Sequence, residues 1–249
     1  MDEQYLIEVM LRRDDVESFD KYPFCLNAVR QLDSLRLHPS VTFLVGENGA
    51  GKSTLLEAIA VAWGFNPEGG TRNFSFSTRS SHSDLHDFLR LSKGITRPRD
   101  GYFLRAESFF NVATEIEILD KEPGGPPLID AYGGISLHEQ SHGESFWSLV
   151  MNRFKGRGLY ILDEPEAALS PNRQMALLSR IHELVKDSSQ FIIATHSPII
   201  LAYPDATIFQ LKDDGLKSVQ YEETEHYLVT KDFLNNYRTM INILLEDNI

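Results

Sequence analysis

Val41-Thr42-Phe43-Leu44-Val45, Gly46-Glu47-Asn48-Gly49-Ala50-Gly51-Lys52-Ser53-Thr54 and Leu55-Leu56-Glu57-Ala58-Ile59-Ala60-Val61-Ala62-Trp63 follow one another without a break. The first run is short, apolar and partly β-branched, as a buried strand requires. The last is a run of good helix formers. Between them, residues 46–54 satisfy the pattern G-x-x-x-x-G-K-[ST] of a phosphate-binding P-loop. Backbone N–H groups of such a loop wrap phosphate oxygens, and the helix N-terminus that follows adds its own favourable field. Glycine is needed where the chain turns tightly and approaches the ligand closely. Lys52 then reaches the β- and γ-phosphates, and the Ser53 hydroxyl is a ligand for Mg²⁺. These residues predict binding of a nucleoside triphosphate.

Two further apolar runs end in polar tips. Leu159-Tyr160-Ile161-Leu162 leads into Asp163-Glu164-Pro165. An acid at the end of a buried strand downstream of a P-loop is the Walker B arrangement, in which Asp163 helps hold Mg²⁺. The neighbouring Glu164 then lies beside the γ-phosphate, where it can orient or deprotonate the attacking water. Ile192-Ile193-Ala194-Thr195 leads into His196-Ser197-Pro198. His196 can hydrogen-bond the γ-phosphate and the water.

Strands are also expected at Tyr5 to Leu11, within Tyr22 to Leu37 after a loop, and at Gly101 to Leu104. Helices are expected over Glu107 to Leu119, Glu144 to Phe154 and Asn172 to Lys186. Gly64 to Gly70 reads as a break, Thr71 to Leu91 as mixed strand and helix signals, and Glu122 to Pro127 as a loop. Alternating strands and helices predict an α/β fold with a mostly parallel sheet flanked by helices. Residues 1–249 are expected to form a single domain, with 65–155 a helical subdomain inserted between P-loop and Walker B.

Of the 249 residues, 42% are hydrophobic and 24% charged, which is ample for a core. The formal net charge of −12 argues against bulk attraction to nucleic acid. Arg72, Arg79, Arg90, Lys93, Arg97, Arg99 and Arg105 form a locally basic stretch that can meet phosphate or simply face solvent. Cys25 is the only cysteine, which rules out an intrachain disulfide and suits a reducing cytosol. The N-terminus lacks a signal-peptide pattern, and the longest apolar candidate, Phe191 to Tyr203, is short and holds His196. A cytoplasmic protein without membrane insertion is therefore expected. His82 and His86, like His138 and His142, have metal-compatible helical spacing but no further ligands in pattern. Tyr22 and Phe24 can stack on adenine or pack into the core, and Arg12 and Arg13 can contact nucleotide or lie exposed.

In order, the P-loop, Leu162-Asp163-Glu164-Pro165, Ala168-Leu169-Ser170-Pro171 and Thr195-His196-Ser197 resemble the ATP-binding-cassette (ABC) ATPases. The resemblance makes residues 168–171 a D-loop and His196 the switch histidine. Gln140-Ser141-His142-Gly143-Glu144 occupies the place of the family's signature, usually Leu-Ser-Gly-Gly-Gln. Ser141 and Gly143 match it, while His142 and Glu144 depart. A simple helix cap is the other reading of Ser141. Glu107 stands where the family carries the Q-loop glutamine and would be a further ligand for Mg²⁺ or water. The resemblance implies an ABC ATPase-like head with an antiparallel N-terminal β portion and a small helical subdomain. Its substrates would be ATP and water, with Mg²⁺, and its products ADP and phosphate. Two copies would sandwich two ATP molecules, with Ser141, Gly143 and the neighbouring Glu144 facing the nucleotide of the partner.

The same segments look like small stand-alone bacterial ATPases allied to the SMC/RecF branch. Fewer than about a hundred residues, with no heptads, separate P-loop and signature, so no coiled-coil arm is expected. The SMC/RecF likeness implies a nucleic-acid-linked process such as repair or phage defence. An ATP-gated switch acting on a protein effector, such as a nuclease or toxin, is the alternative, and a transporter ATPase subunit the third reading.

Overall fold

Strand alternation sorts the apolar residues onto two faces of one sheet, and each face carries its own core. A computed structural model of the chain describes residues 4–71, 83–121, 127–212 and 215–245. In order they form β1 (Leu6–Leu11), α1 (Asn27–Arg30), β2 (Ser34–Arg36), β3 (Val41–Gly46), α2 (Lys52–Trp63) and β4 (Leu89–Lys93). Next come β5 (Asp100–Arg105), α3 (Phe109–Leu119), α4 (His142–Ser148), β6 (Gly158–Asp163) and α5 (Pro171–Lys186). The chain then forms β7 (Gln190–Ala194), α6 (Pro198–Leu201), β8 (Thr207–Lys212), β9 (Gly215–Val219) and α7 (Glu225–Leu245).

The main sheet has the order β5-β6-β7-β3-β8-β9, parallel except for the β8–β9 hairpin at one edge. A smaller antiparallel sheet, β2-β1-β4, supplies the antiparallel N-terminal portion. Tyr160 and Leu162 of β6, with Phe191 and Ile193 of β7, face a core closed by Leu177, Ile181 and Leu184 of α5. Burying each such leucine or isoleucine contributes about 1.5–3 kcal/mol. Leu159, Ile161 and Ile192 face the other way, onto α2 and the smaller sheet. Both faces are covered, which explains why β3, β6 and β7 are apolar at nearly every position.

Gln190 ties the smaller sheet to the main one. Its Oε1 accepts from the backbone N–H of Tyr5 (3.1 Å) and Leu6 (2.9 Å), and its Nε2 donates to the carbonyls of Leu6 (2.8 Å) and His38 (3.0 Å). The side chain is fully buried, with four polar partners. Replacing it with leucine keeps the volume but strips those partners. Gln190→Leu is expected to lose about 2–4 kcal/mol of stability, read as a lowered urea midpoint at unchanged m-value. A loss below about 0.5 kcal/mol, ordinary for a surface change, would contradict this role.

Several expectations need amending. The span Tyr22 to Leu37 carries the short helix α1 as well as β2. Within 65–155, β4 and β5 pair into the two sheets, and the helical part runs from Phe109 through α4 into a π-helical turn ending at Arg153. The β8–β9 hairpin and α7 go beyond the elements expected from the sequence. Leu228, Val229, Phe233, Leu234 and Tyr237 lie exposed along α7, and no residue of that helix is buried. Residues 72–82, with Arg72, Arg79 and His82, and most of the expected loop at 122–126 lie outside the described residues. Among the described residues no helix is long and apolar enough to cross a membrane.

Candidate active site

The parallel ladder brings the polar strand tips together. Asp163 of β6 is in register with Ala194 of β7, and Ala194 with Leu44 of β3, so the three strands end level. The loops that follow therefore meet at the carboxyl ends of the strands, where α/β sheets place their ligands. The backbone at Gly46 must lie against β8: a Cβ there would sit 2.8 Å from the Leu211 carbonyl oxygen. Gly51, with φ +95°, makes the left-handed turn into α2 and leaves the helix N-terminus facing the loop.

Lys52 is buried, and its Nζ donates to the carbonyls of Gly46 (2.8 Å) and Glu47 (3.0 Å). Burial lowers its pKa, and the carboxylates of Glu164, Asp163 and Glu166 oppose that shift. Ser53 Oγ donates to Asp163 Oδ1 at 3.1 Å, joining the P-loop to the Walker B strand. Hydroxyl and carboxylate oxygens so placed form a hard donor set that fits Mg²⁺. Glu164 follows in the left-handed region, with φ 49°. A non-glycine residue held there costs on the order of 1–3 kcal/mol, and such strain collects at functional sites. Its carboxylate lies 3.5 Å from His196 Nε2. Burial first, and then the Lys52 charge, lower the pKa of His196.

Two residues that no motif singles out, Glu166 and His226, complete this corner. Glu166 Oε1 accepts the His196 backbone N–H at 2.5 Å and fixes the switch loop. His226, on the first turn of α7, lies with its Nε2 2.9 Å from His196 Nδ1. A cavity of about 530 Å³ is bounded by Glu47, Asn48 and His196 on one side and Glu225 and His226 on the other. The local pattern offered only Glu166, two residues after the Asp-Glu pair; nothing near His226 marks it.

On the other side of the P-loop, a cleft of about 490 Å³ is lined by Tyr22, Asn48, Gly49, Lys52, Thr54 and Glu164, among others. Its size suits a small ligand. Tyr22 and Phe24 part ways: Tyr22 lies exposed at this cleft, whereas Phe24 packs edge-on against Phe88 at 4.8 Å. Arg12 pairs with Asp15, and Arg13 bonds the Arg30 carbonyl and covers Phe19. Arg105 is held by Glu57 at 2.5 Å, which removes it from the free basic stretch.

The signature segment is not part of this cleft. Ser141 is the N-cap of α4, and its N–H (3.0 Å) and hydroxyl (2.6 Å) both donate to the Glu144 carboxylate. Those bonds lower the Glu144 pKa. Gly143 abuts the D-loop, since a Cβ there would come 2.8 Å from the Ala168 carbonyl oxygen. Glu107 has its backbone in the short turn Ala106–Ser108 after β5, and its side chain lies outside the described set. His138 bonds Thr114 Oγ1 at 3.0 Å and His142 lies edge-on to Phe109, so the two rings have different partners.

Such a strand–loop–helix, with Asp163 against Ser53 and a histidine on the adjacent tip, defines a P-loop ATPase of the ABC type, a hydrolase of ATP. Comparison with known proteins agrees. The chain belongs to a family described as "AAA domain", whose model matches residues 17–142, just over half of it. A second model, "AAA ATPase domain", matches residues 135–201. The chain is 26% identical over 224 residues to an "Uncharacterized ABC transporter ATP-binding protein" of Haemophilus influenzae, covering 81% of this chain and 80% of that one. It is 29% identical over 174 residues to "Cytochrome c biogenesis ATP-binding export protein CcmA" of Rhodopseudomonas palustris, covering 64% and 79%. Against the "ABC multidrug transporter SNQ2" of Candida glabrata it spans only 14% of the relative's length. Among solved structures, cbiO1 from Clostridium perfringens, described as part of the ABC transporter complex cbiONQ, matches with a TM-score of 0.50. The match has 20% identity and covers 98% of this chain and 100% of that one; the likeness is one of fold.

Proposed function

We propose that this site hydrolyses ATP by activating water at Glu164, in a cytosolic protein that works as an ATP-gated homodimer. The observation that carries the reading is the Ser53–Asp163 hydrogen bond, with Glu164 and His196 adjoining it. Residues 46–54 would cradle the phosphates and Lys52 would reach the terminal ones. Ser53 and Asp163 would hold Mg²⁺, which when bound neutralises phosphate charge; Glu107 is proposed as a further ligand. Glu164 would take the water proton while His196 donates to the γ-phosphate, so catalysis is positioning and charge stabilisation. Tyr22, exposed at the cleft, would stack on the adenine. Ser141, Gly143 and Glu144 would meet the nucleotide of a second copy. The close approach of Gly143 to the Ala168 carbonyl supports this, because signature and D-loop would then move as one piece.

We assign the cycle to a nucleic-acid-linked process, on the likeness of the motifs to the SMC/RecF branch. The names of the relatives favour a second reading, an ATP-binding subunit of a transporter. An effector-gating switch is the alternative if neither holds. Turnover of the purified chain, measured with and without single-stranded DNA, duplex DNA and RNA, separates them. Stimulation of several-fold is expected from one of these. A rate unmoved by all three at low salt would contradict the nucleic-acid assignment and leave the ATPase reading standing. Chelating Mg²⁺ is expected to stop turnover in every case.

A further inference from the structure

His226 has no counterpart in the motifs above, yet it touches the site from the far end of the chain. Its Nε2 is 2.9 Å from His196 Nδ1, so a single proton lies between the two rings. The question is which ring carries it. If His196 Nδ1 did, His196 Nε2 would turn a lone pair towards the Glu164 carboxylate 3.5 Å away, two acceptors facing each other. If His226 Nε2 does, His196 is protonated on Nε2 and turns a donor, not a lone pair, towards the Glu164 carboxylate. His226 Nδ1 is buried, with no hydrogen-bond partner among the described residues. The first arrangement would strand an N–H on that atom; in the second it is a bare lone pair, and the His196 Nε2–H, which makes no hydrogen bond among the described residues, has the Glu164 carboxylate 3.5 Å away. Burial first, and then the neighbouring Lys52 ammonium (for His226, after the His196 ring), disfavour an added proton on either ring; Glu164, Glu166 and Glu225 are the opposing charges.

We propose that His226 is a positioning residue: its Nε2–H donates to His196 Nδ1 and holds His196 as the Nε2–H tautomer that faces the γ-phosphate. The first turn of α7 thus becomes a working part of the hydrolytic site, and displacing α7 withdraws the donor. The inference rests on the reading of His196 under the proposed function, so its test has a readout that does not need turnover.

The full chain, labelled with ¹⁵N-histidine, is measured by long-range imidazole proton–nitrogen correlation, with a His196→Gln variant assigning the signals. The wild type is expected to show His196 protonated at Nε2. His226→Phe is expected to populate the Nδ1–H form, and His226→Gln, whose amide nitrogen can donate from a similar place, to restore the wild-type pattern. In parallel, kcat is expected to fall about 10- to 100-fold in His226→Phe, the scale of a misplaced catalytic group. KM for ATP is expected to stay within about threefold, and kcat to recover in His226→Gln. A wild-type His196 protonated at Nδ1, or a His226→Phe spectrum identical to wild type, would overturn the proposal. The expected tautomer shift at unchanged kcat would uphold the positioning and overturn the role of His196 in hydrolysis.

Discussion

Replacing Glu164 with glutamine is expected to lower ATP turnover about 100- to 10,000-fold, the range of general-base catalysis, while ATP affinity changes little. Glutamine keeps the size and leaves an amide beside His196 Nε2, which lies 3.5 Å from the carboxylate. It cannot take a proton from water. The backbone at this position, in the left-handed region and bonded through its N–H to the Ala194 carbonyl at 2.9 Å, is set by its neighbours and not by the carboxylate. The variant should therefore fold and bind as the wild type does. Phosphate release under single-turnover conditions, alongside nucleotide titration, checks both halves. Turnover within about tenfold of wild type would show that the water is activated elsewhere.

Removing the Lys52 ammonium acts on a different quantity. Lys52→Ala is expected to weaken ATP binding about 10- to 100-fold, because charged hydrogen bonds contribute about 1.5–3 kcal/mol each. Its Nζ already bonds the Gly46 and Glu47 carbonyls of the loop, so truncation also loosens the cradle. Calorimetric titration with Mg-ATP and Mg-ADP gives the comparison. The loss should be larger for the triphosphate, since the lysine reaches the terminal phosphates. Equal losses for the two nucleotides would place the ammonium away from them.

Much of this fold can be read in the chain because its decisive elements are local. The P-loop and its flanking strand and helix span residues 41–63, and glycine chemistry, apolar patterning and a single lysine carry the reading. The strands ending at Asp163 and Ala194 are equally plain, since a strand covered on both faces is apolar throughout. What the sequence hid is what depends on distant partners. Gln190 looks like an ordinary strand-start polar residue, yet it bonds backbone groups of Tyr5, Leu6 and His38. The β8–β9 hairpin closes the main sheet beside the P-loop strand, but its residues mix polar and apolar types. α7 buries no side chain, so no buried stripe constrains it, and Asn236 interrupts its helical geometry. His226 is legible only once α7 is folded back against the switch loop. The Tyr22–Phe24 pair shows the same limit: two aromatics around one proline, one packed against the core and one at the cleft.

In the proposed cycle, ATP brings two copies of this site together. The direct measurement is the mass in solution of the Glu164→Gln protein, by light scattering, with and without Mg-ATP, with Lys52→Ala as the control. A monomer that becomes a dimer on adding Mg-ATP is expected, and no such change in the Lys52 variant. An unchanged mass with ATP demonstrably bound would contradict it, because Ser141 and Gly143 would then have no second nucleotide to meet.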